Sequence, residues 1–167
     1  LKDADLYIVA VKDDWLEYLI RQLNVNNIVH TSGSFGLEVF KKKTKNYGVF
    51  YPLQTFNKNI NLDFSKIPIC IEANDKLFEN KLLHIGNNLS KKVIKMSSEK
   101  REKLHIAAVF ASNFTNHMFS IADSIVAESH IDFKLLLPLI NQTAKKIAQN
   151  KPSKVQTGPA RRKDLKI

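Results

Sequence analysis

Residues Val93–Ile125 read VIKMSSEKREKLHIAAVFASNFTNHMFSIADSI, and a change of periodicity inside them decides the fold. Val93 and Ile94 belong to a short apolar strand. Ser97-Ser98-Glu99 then reads as a helix start, with serine as the cap and Glu99 at the positive end of the helix. Nothing breaks the helical period from there to Ser129, a rod of about 45 Å at about 1.5 Å per residue. Asp132 is placed to cap a further helix that carries Leu135, Leu136, Leu139, Ile140, Ala144 and Ile147 as far as Gln149. Pro138 lies inside that pattern and is expected to kink it. The chain therefore reads as two parts, α/β over residues 1–96 and all-helical over 97–167.

Upstream of Val93 the pattern alternates. Leu6–Val11 is a continuous apolar run, the mark of a strand buried on both faces. Asp13–Leu23 has helical spacing in Trp15, Leu16, Leu19, Ile20 and Leu23. Ile28–His30 is a second strand, ended by Thr31-Ser32-Gly33-Ser34, and Gly36–Lys42 fits a short helix. Tyr47–Tyr51 and Ile67–Glu72 are two further strands, and Asp75–Leu89 is a helix. Strands that alternate with helices of about ten residues predict a mostly parallel sheet covered by helices.

Composition bounds the function. Of 167 residues, 44% are hydrophobic and 25% are charged, enough apolar material for a core. No apolar run reaches the roughly 18–20 residues that span a bilayer. Leu1-Lys2-Asp3-Ala4-Asp5 has neither the basic start nor the apolar stretch of a signal peptide, so a cytoplasmic protein is expected, with no membrane partner. The chain opens without methionine almost inside a strand, and residues upstream of Leu1 and beyond Ile167 are expected. Cys70, the one cysteine, sits in IPICIEA and reads as a buried strand thiol. The net charge is +10, but the lysines are spread out and no aromatic residues interleave with them, so nucleic acid is not the expected partner.

The long helix has a polar seam. At about 100° per residue, Ser112, Asn116 and Asp123 fall within about 20° of His105, with Asn113 about 80° to one side. Between Leu104 and Ile121 there is no Lys, Arg, Asp or Glu, unlike an ordinary wet helix face. Neutral donors and acceptors beside a histidine are what a cleft uses to orient a small polar ligand, and His105 is able to pass a proton near neutral pH. No metal site is expected: His105 and His117 lie about 120° apart and cannot share an ion within one helix.

These segments carry a resemblance. DADLYIVAVKDD (Asp3–Asp14), VHTSGS (Val29–Ser34), YGVFYPLQTF (Tyr47–Phe56), IPICIEAND (Ile67–Asp75), KLHIAAVFASNFTNHMF (Lys103–Phe119) and QTGPARRKD (Gln156–Asp164) occur in this order along nearly the whole chain. Together they resemble the Rossmann-like NADP oxidoreductases whose C-terminal helical domain is domain of unknown function 2520. That group stands among the 6-phosphogluconate and β-hydroxyacid dehydrogenases, the prephenate dehydrogenases and the pyrroline-5-carboxylate reductases. The resemblance implies a Rossmann-like NAD(P)-binding domain over 1–96 that lacks its first βαβ unit. It also implies a helical domain over 97–167 for substrate binding and dimerisation.

It further implies roles. Val11 and Lys12, with Thr31, Ser32 and Gly33, would lie on the cofactor side. Gln54 would orient substrate, and Tyr51 stands where prephenate dehydrogenases have histidine. His105, Asn113 and Asn116 would be the catalytic members of the seam. Related dehydrogenases use a helix lysine there, but none lies between Lys103 and Lys134. Thr157 and Arg161, around a Gly-Pro turn, are placed to hold an anionic group of the substrate.

The dinucleotide fingerprint G-x-G-x-x-G is missing, since Gly33, Gly36, Gly48, Gly86 and Gly158 do not make its spacing. NADP, or NAD, is thus expected to bind the full-length protein. The function implied is hydride transfer between a nicotinamide and a small polar, anionic substrate, in a homodimer. The alternative is a Rossmann-like module that binds its ligand without catalysis.

Overall fold

Five strands form one sheet in the order β1 (Tyr7–Val9), β2 (Ile28–His30), β3 (Tyr47–Pro52), β4 (Ile69–Ala73) and β5 (Val93–Lys95). The computed structural model describes residues 2–40, 44–158 and 161. The expected short helix over Gly36–Lys42 appears as a 3-10 turn at Leu37–Phe40, and its last residues lie outside the described ones.

β1, β2 and β3 are parallel, β4 runs antiparallel to β3, and β5 is parallel to β4. The sheet is thus mostly parallel, as the sequence suggests, with the β3–β4 pair as its antiparallel exception. Between β3 and β4 the chain forms only a 3-10 turn at Phe64–Lys66. Without a crossover helix to carry it back, the chain returns alongside β3 in the opposite direction.

Two compact units divide at Leu1–Thr115 and Asn116–Ile167. The last strand ends at Lys95 and the next helix begins at Ser98. The compact division comes later because helix α3 (Ser98–Ala108) packs on the first unit: Leu104 lies against Val49, Tyr51 and Cys70.

In the first unit, α1 (Asp13–Gln22) buries Leu16 and Ile20 with Val9, Ile28, Val39 and Phe40. Helix α2 (Lys76–Leu89) buries Phe78 and Leu82 against Val29, Phe50, Ile69 and Ile71. Its start is fixed by Asp75, whose carboxylate accepts from the N–H groups of Leu77 and Phe78, at 2.8 and 3.1 Å. Cys70 is buried as expected, and burial pushes its thiol pKa up. The expectation for Leu6–Val11 is corrected: only Val9 is buried and Ile8 is 53% exposed, because β1 is the edge of the described sheet.

The long helix is not uniform. A π-helical segment, Val109–Phe114, follows α3, and α4 (Thr115–Ala127) follows it. Ser97 takes the N-cap position of α3 but makes no side-chain cap bond. In the second unit, Asp132 caps a 3-10 turn at Phe133–Leu136 through Lys134 N–H, at 2.8 Å. Helix α5 (Leu137–Gln149) then carries Pro138 in its first turn, so the expected kink is absent: there proline has no helical hydrogen bond to lose. A four-residue helix, α6 (Pro152–Val155), follows.

Candidate functional site

Strand alternation sets the site. Along β3, Val49 and Tyr51 point to the face covered by α3, while Phe50 points to the α2 face. Helix α3 turns Arg101, Leu104, His105 and Ala108 toward that sheet, at the three- and four-residue spacing of one helical stripe. Tyr51 and His105 thus meet. The Tyr51 hydroxyl lies 3.0 Å from His105 Nδ1, and the rings stand edge to face with centroids 5.9 Å apart. Tyr51 is only 8% exposed, and burial raises its pKa, so it keeps its proton at neutral pH.

A cleft of about 370 Å³ opens beside this pair, lined by Tyr51, Gln54, Thr55, His105, Ser112 and Asn113 with Leu53, Ala108 and Val109. No lining residue carries a fixed charge. Thr55 Oγ1 and Ser112 Oγ are 3.2 Å apart across it, and Gln54 Oε1 accepts from Thr55 N–H at 2.8 Å. The π segment explains why Asn113 joins His105. A wider turn advances each residue by less than an α-helix does, which swings Asn113 back from the side position that uniform helical geometry gives it. Thr115 Oγ1 donates to the carbonyl of Phe110 at 3.1 Å, five residues back, and so satisfies an acceptor in the altered ladder.

The loop after β2 also packs against His105. A Cβ on Gly33 would fall 2.5 Å from His105 Nδ1, so only glycine lets this backbone approach the imidazole. Two buried groups hold the loop. His30 Nδ1 accepts from Ser32 N–H at 3.2 Å, and its Nε2 donates to the carbonyl of Gly36 at 3.3 Å. Burial lowers the pKa of His30 to about 4, so it is neutral, as this pattern requires. Arg101, 1% exposed, pairs with Glu72 at 2.6 Å and donates to the Phe35 carbonyl. Arg101 thereby ties β4, this loop and α3 together one turn before His105.

Of the residues singled out in the sequence, His105, Asn113 and Gln54 gather at the cleft, and Gly33 touches His105. Thr31 N–H donates to Val9 O at 3.2 Å, which joins the two loops at the carboxyl ends of β1 and β2. Ser32 Oγ accepts from Ser34 and Phe35 N–H within its own loop. Val11 and Lys12 are exposed at the start of α1. Asn116 opens the second unit, exposed, with its carbonyl accepting from Ser120 Oγ at 3.2 Å. Thr157 lines a small cavity of that unit with Thr143 and Lys146. Arg161 donates to Gln156 O at 2.6 Å and to Lys154 O at 3.4 Å, so it binds backbone carbonyls there.

Sequence reasoning underrated Tyr51, Thr55 and Ser112 and passed over Arg101. Tyr51 had a signal in its alternation with Val49. Arg101 had none, since a lone arginine in a charged helical turn reads as solvated.

A dinucleotide fits this unit in part. Val11, Lys12 and Thr31–Gly33 stand at the carboxyl ends of parallel strands, where open α/β sheets bind ligands. A pyrophosphate does not fit α1, whose first turn carries Asp13 and Asp14 and follows no glycine-rich turn.

A family profile described as Domain of unknown function (DUF2520) matches residues 67–167. A crystal structure from Bacteroides fragilis, named a "putative NADP oxidoreductase", superposes with a TM-score of 0.90 at 41% identity. That match covers 96% of this chain and 64% of that one, so the chain spans less than two thirds of its length. A Thermotoga maritima protein of solved structure gives 0.77 at 26% identity, over 98% of this chain and 67% of that one. A "putative oxidoreductase" from Mycobacterium avium shares the fold, with a TM-score of 0.61 at 10% identity over 92% of this chain and 59% of its own. No curated protein matches the chain.

Proposed function

The chain belongs to the family described as Domain of unknown function (DUF2520), and on that premise we propose that it supplies the substrate side of an NADP-dependent oxidoreductase. The observation that carries this reading is the junction of His105 with Tyr51 and with Gly33 of the loop after β2, beside an uncharged polar cleft. The name of the Bacteroides protein supports NADP as the cofactor, with NAD as the other candidate. Val11, Lys12 and Thr31–Gly33 would flank the nicotinamide end, which when bound gives or takes a hydride. The pyrophosphate would rest on a part of the protein outside these residues.

In this reading His105 exchanges a proton with the substrate oxygen or nitrogen. Asn113 and Gln54 orient the substrate, and Thr55 and Ser112 close the cleft. Asn116 stays a catalytic candidate, and Thr157 and Arg161 are candidates for holding an anionic group; all three belong to the second unit, whose other role is to dimerise. None of its described residues is buried, and Leu135 and Leu139 are 72% and 67% exposed, which supports a second copy of the chain as the cover.

The test is titration of the full-length protein with NADPH, followed by a panel of keto acids and cyclic imines with absorbance read at the nicotinamide band. Turnover that falls at least a hundredfold in His105→Gln supports the reading. Tight NADPH binding with no turnover across the panel favours the second reading, a binding module without catalysis. The missing helix lysine is what favours that alternative.

A further inference from the structure

Two imidazoles face the loop after β2, and their partners differ. His30 meets a backbone N–H and a backbone C=O, groups of fixed polarity, so its proton is on Nε2. His105 meets a phenol at Nδ1, and that hydroxyl is able to donate or accept. The chemistry of the pair decides between the two. A phenolic O–H is a strong donor and its oxygen a weak acceptor, whereas a bare imidazole nitrogen is a strong acceptor. O–H to Nδ1 is therefore the favoured direction, and the tautomer follows from the bond made at the other nitrogen.

We propose that Tyr51 is a positioning residue that holds His105 with its proton on Nε2, so that the cleft presents an N–H donor and selects a ligand offering an acceptor there, a carbonyl or an imine nitrogen. The proposal rests on the cleft identified above and deepens it by naming the substrate class at its reacting end. Three observations converge on it. The O···Nδ1 distance is 3.0 Å, and among the described residues Nδ1 has the imidazole's one protein hydrogen bond. Gly33 packs its backbone directly on this edge of the ring, since a Cβ there would fall 2.5 Å from Nδ1 and 2.6 Å from the adjoining ring carbon. The lining holds no carboxylate that would compete with the phenol for a ring nitrogen. Burial also keeps Tyr51 in its protonated, donating form.

Nitrogen-15 and carbon-13 NMR of the histidine rings reads the tautomer without any cofactor, with His105→Gln used to assign the signals. Wild-type protein above the imidazole pKa is expected to give the Nε2–H pattern at His105. Tyr51→Phe is expected to release a mixture, and Gly33→Ala, which retains the phenol but displaces the ring, to do the same. A dominant Nδ1–H pattern in the wild type, or an unchanged pattern in both variants, overturns the proposal. Acetone, an acceptor without donors, is expected to shift the Nε2–H signal saturably in wild type and at least threefold less in Tyr51→Phe. A response to methylammonium instead, or no response to acetone, overturns the ligand half. Absence of hydride transfer with the Nε2–H pattern intact would sink the oxidoreductase reading alone.

Discussion

His30 has both ring nitrogens committed to backbone groups, and its environment sets a pH limit on the fold. Burial lowers its pKa from 6.5 to about 4, against the smaller opposing effect of its bond to Gly36 O. The unfolded chain binds this proton near 6.5, so across the interval it binds more protons than the folded state. Stability is then fully present above about 6.5 and is lost as pH falls toward about 4. At about 1.4 kcal/mol per pKa unit, the loss approaches about 3 kcal/mol. Urea denaturation from neutral pH down to about pH 4 should show it, and His30→Gln should flatten the slope. An equally steep slope in the variant would assign the effect to other groups. If Asn113 orients the ligand as proposed, Asn113→Ala is expected to raise KM about fivefold or more with a smaller change in kcat, since loss of one hydrogen bond to a bound ligand costs about 1 kcal/mol or more. Steady-state kinetics of the full-length protein checks this.

Among the elements, the link between β4, the loop after β2 and α3 is Arg101. Its pair with Glu72 is buried on the arginine side, so removing one partner strands the other. Arg101→Met is expected to cost about 3 kcal/mol, and Arg101→Met with Glu72→Met to recover part of it. Denaturant midpoints decide; a single variant no less stable than the double would show that the pair holds nothing. The π segment is the second device at this scale. Thr115→Val removes the bond to Phe110 O, with an expected cost of about 1 kcal/mol or less and amide shifts confined to residues near 109–115.

The helical period of KLHIAAVFASNFTNHMF was legible in the sequence, and so was its neutral polar line. The π turn was not, because a hydrophobic pattern tolerates one extra residue in a turn while the side-chain directions beyond it change. The same limit applies to Leu6–Val11. An apolar run marks a strand, but how many of its faces are covered depends on neighbours that the run does not encode.

For the whole molecule, the question is what covers the apolar helices. Phe110 and Phe114 of the first unit are 63% and 49% exposed, and their rings pack on each other with centroids 5.0 Å apart. The second unit leaves Leu135 and Leu139 outside. Large apolar side chains in such numbers favour association. Sedimentation equilibrium is expected to give a dimer, and Leu139→Glu to give a monomer; a monomeric wild type would remove the second copy as the cover. Among the described residues no helix is long and apolar enough to cross a membrane.

By itself the sequence determined the order and kind of nearly every element, the absence from this chain of a glycine-rich phosphate turn, and the presence of His105 on an uncharged line. Those properties are local, set by periodicity, capping and residue type within a few turns of chain. Only the tertiary structure decided that β4 runs against β3, that Tyr51 rather than a lysine meets His105, and that Gly33 and Arg101 hold them there. The side-chain contacts among them join residues 29 to 72 positions apart, and their energies depend on burial and direction, which no short stretch of sequence contains.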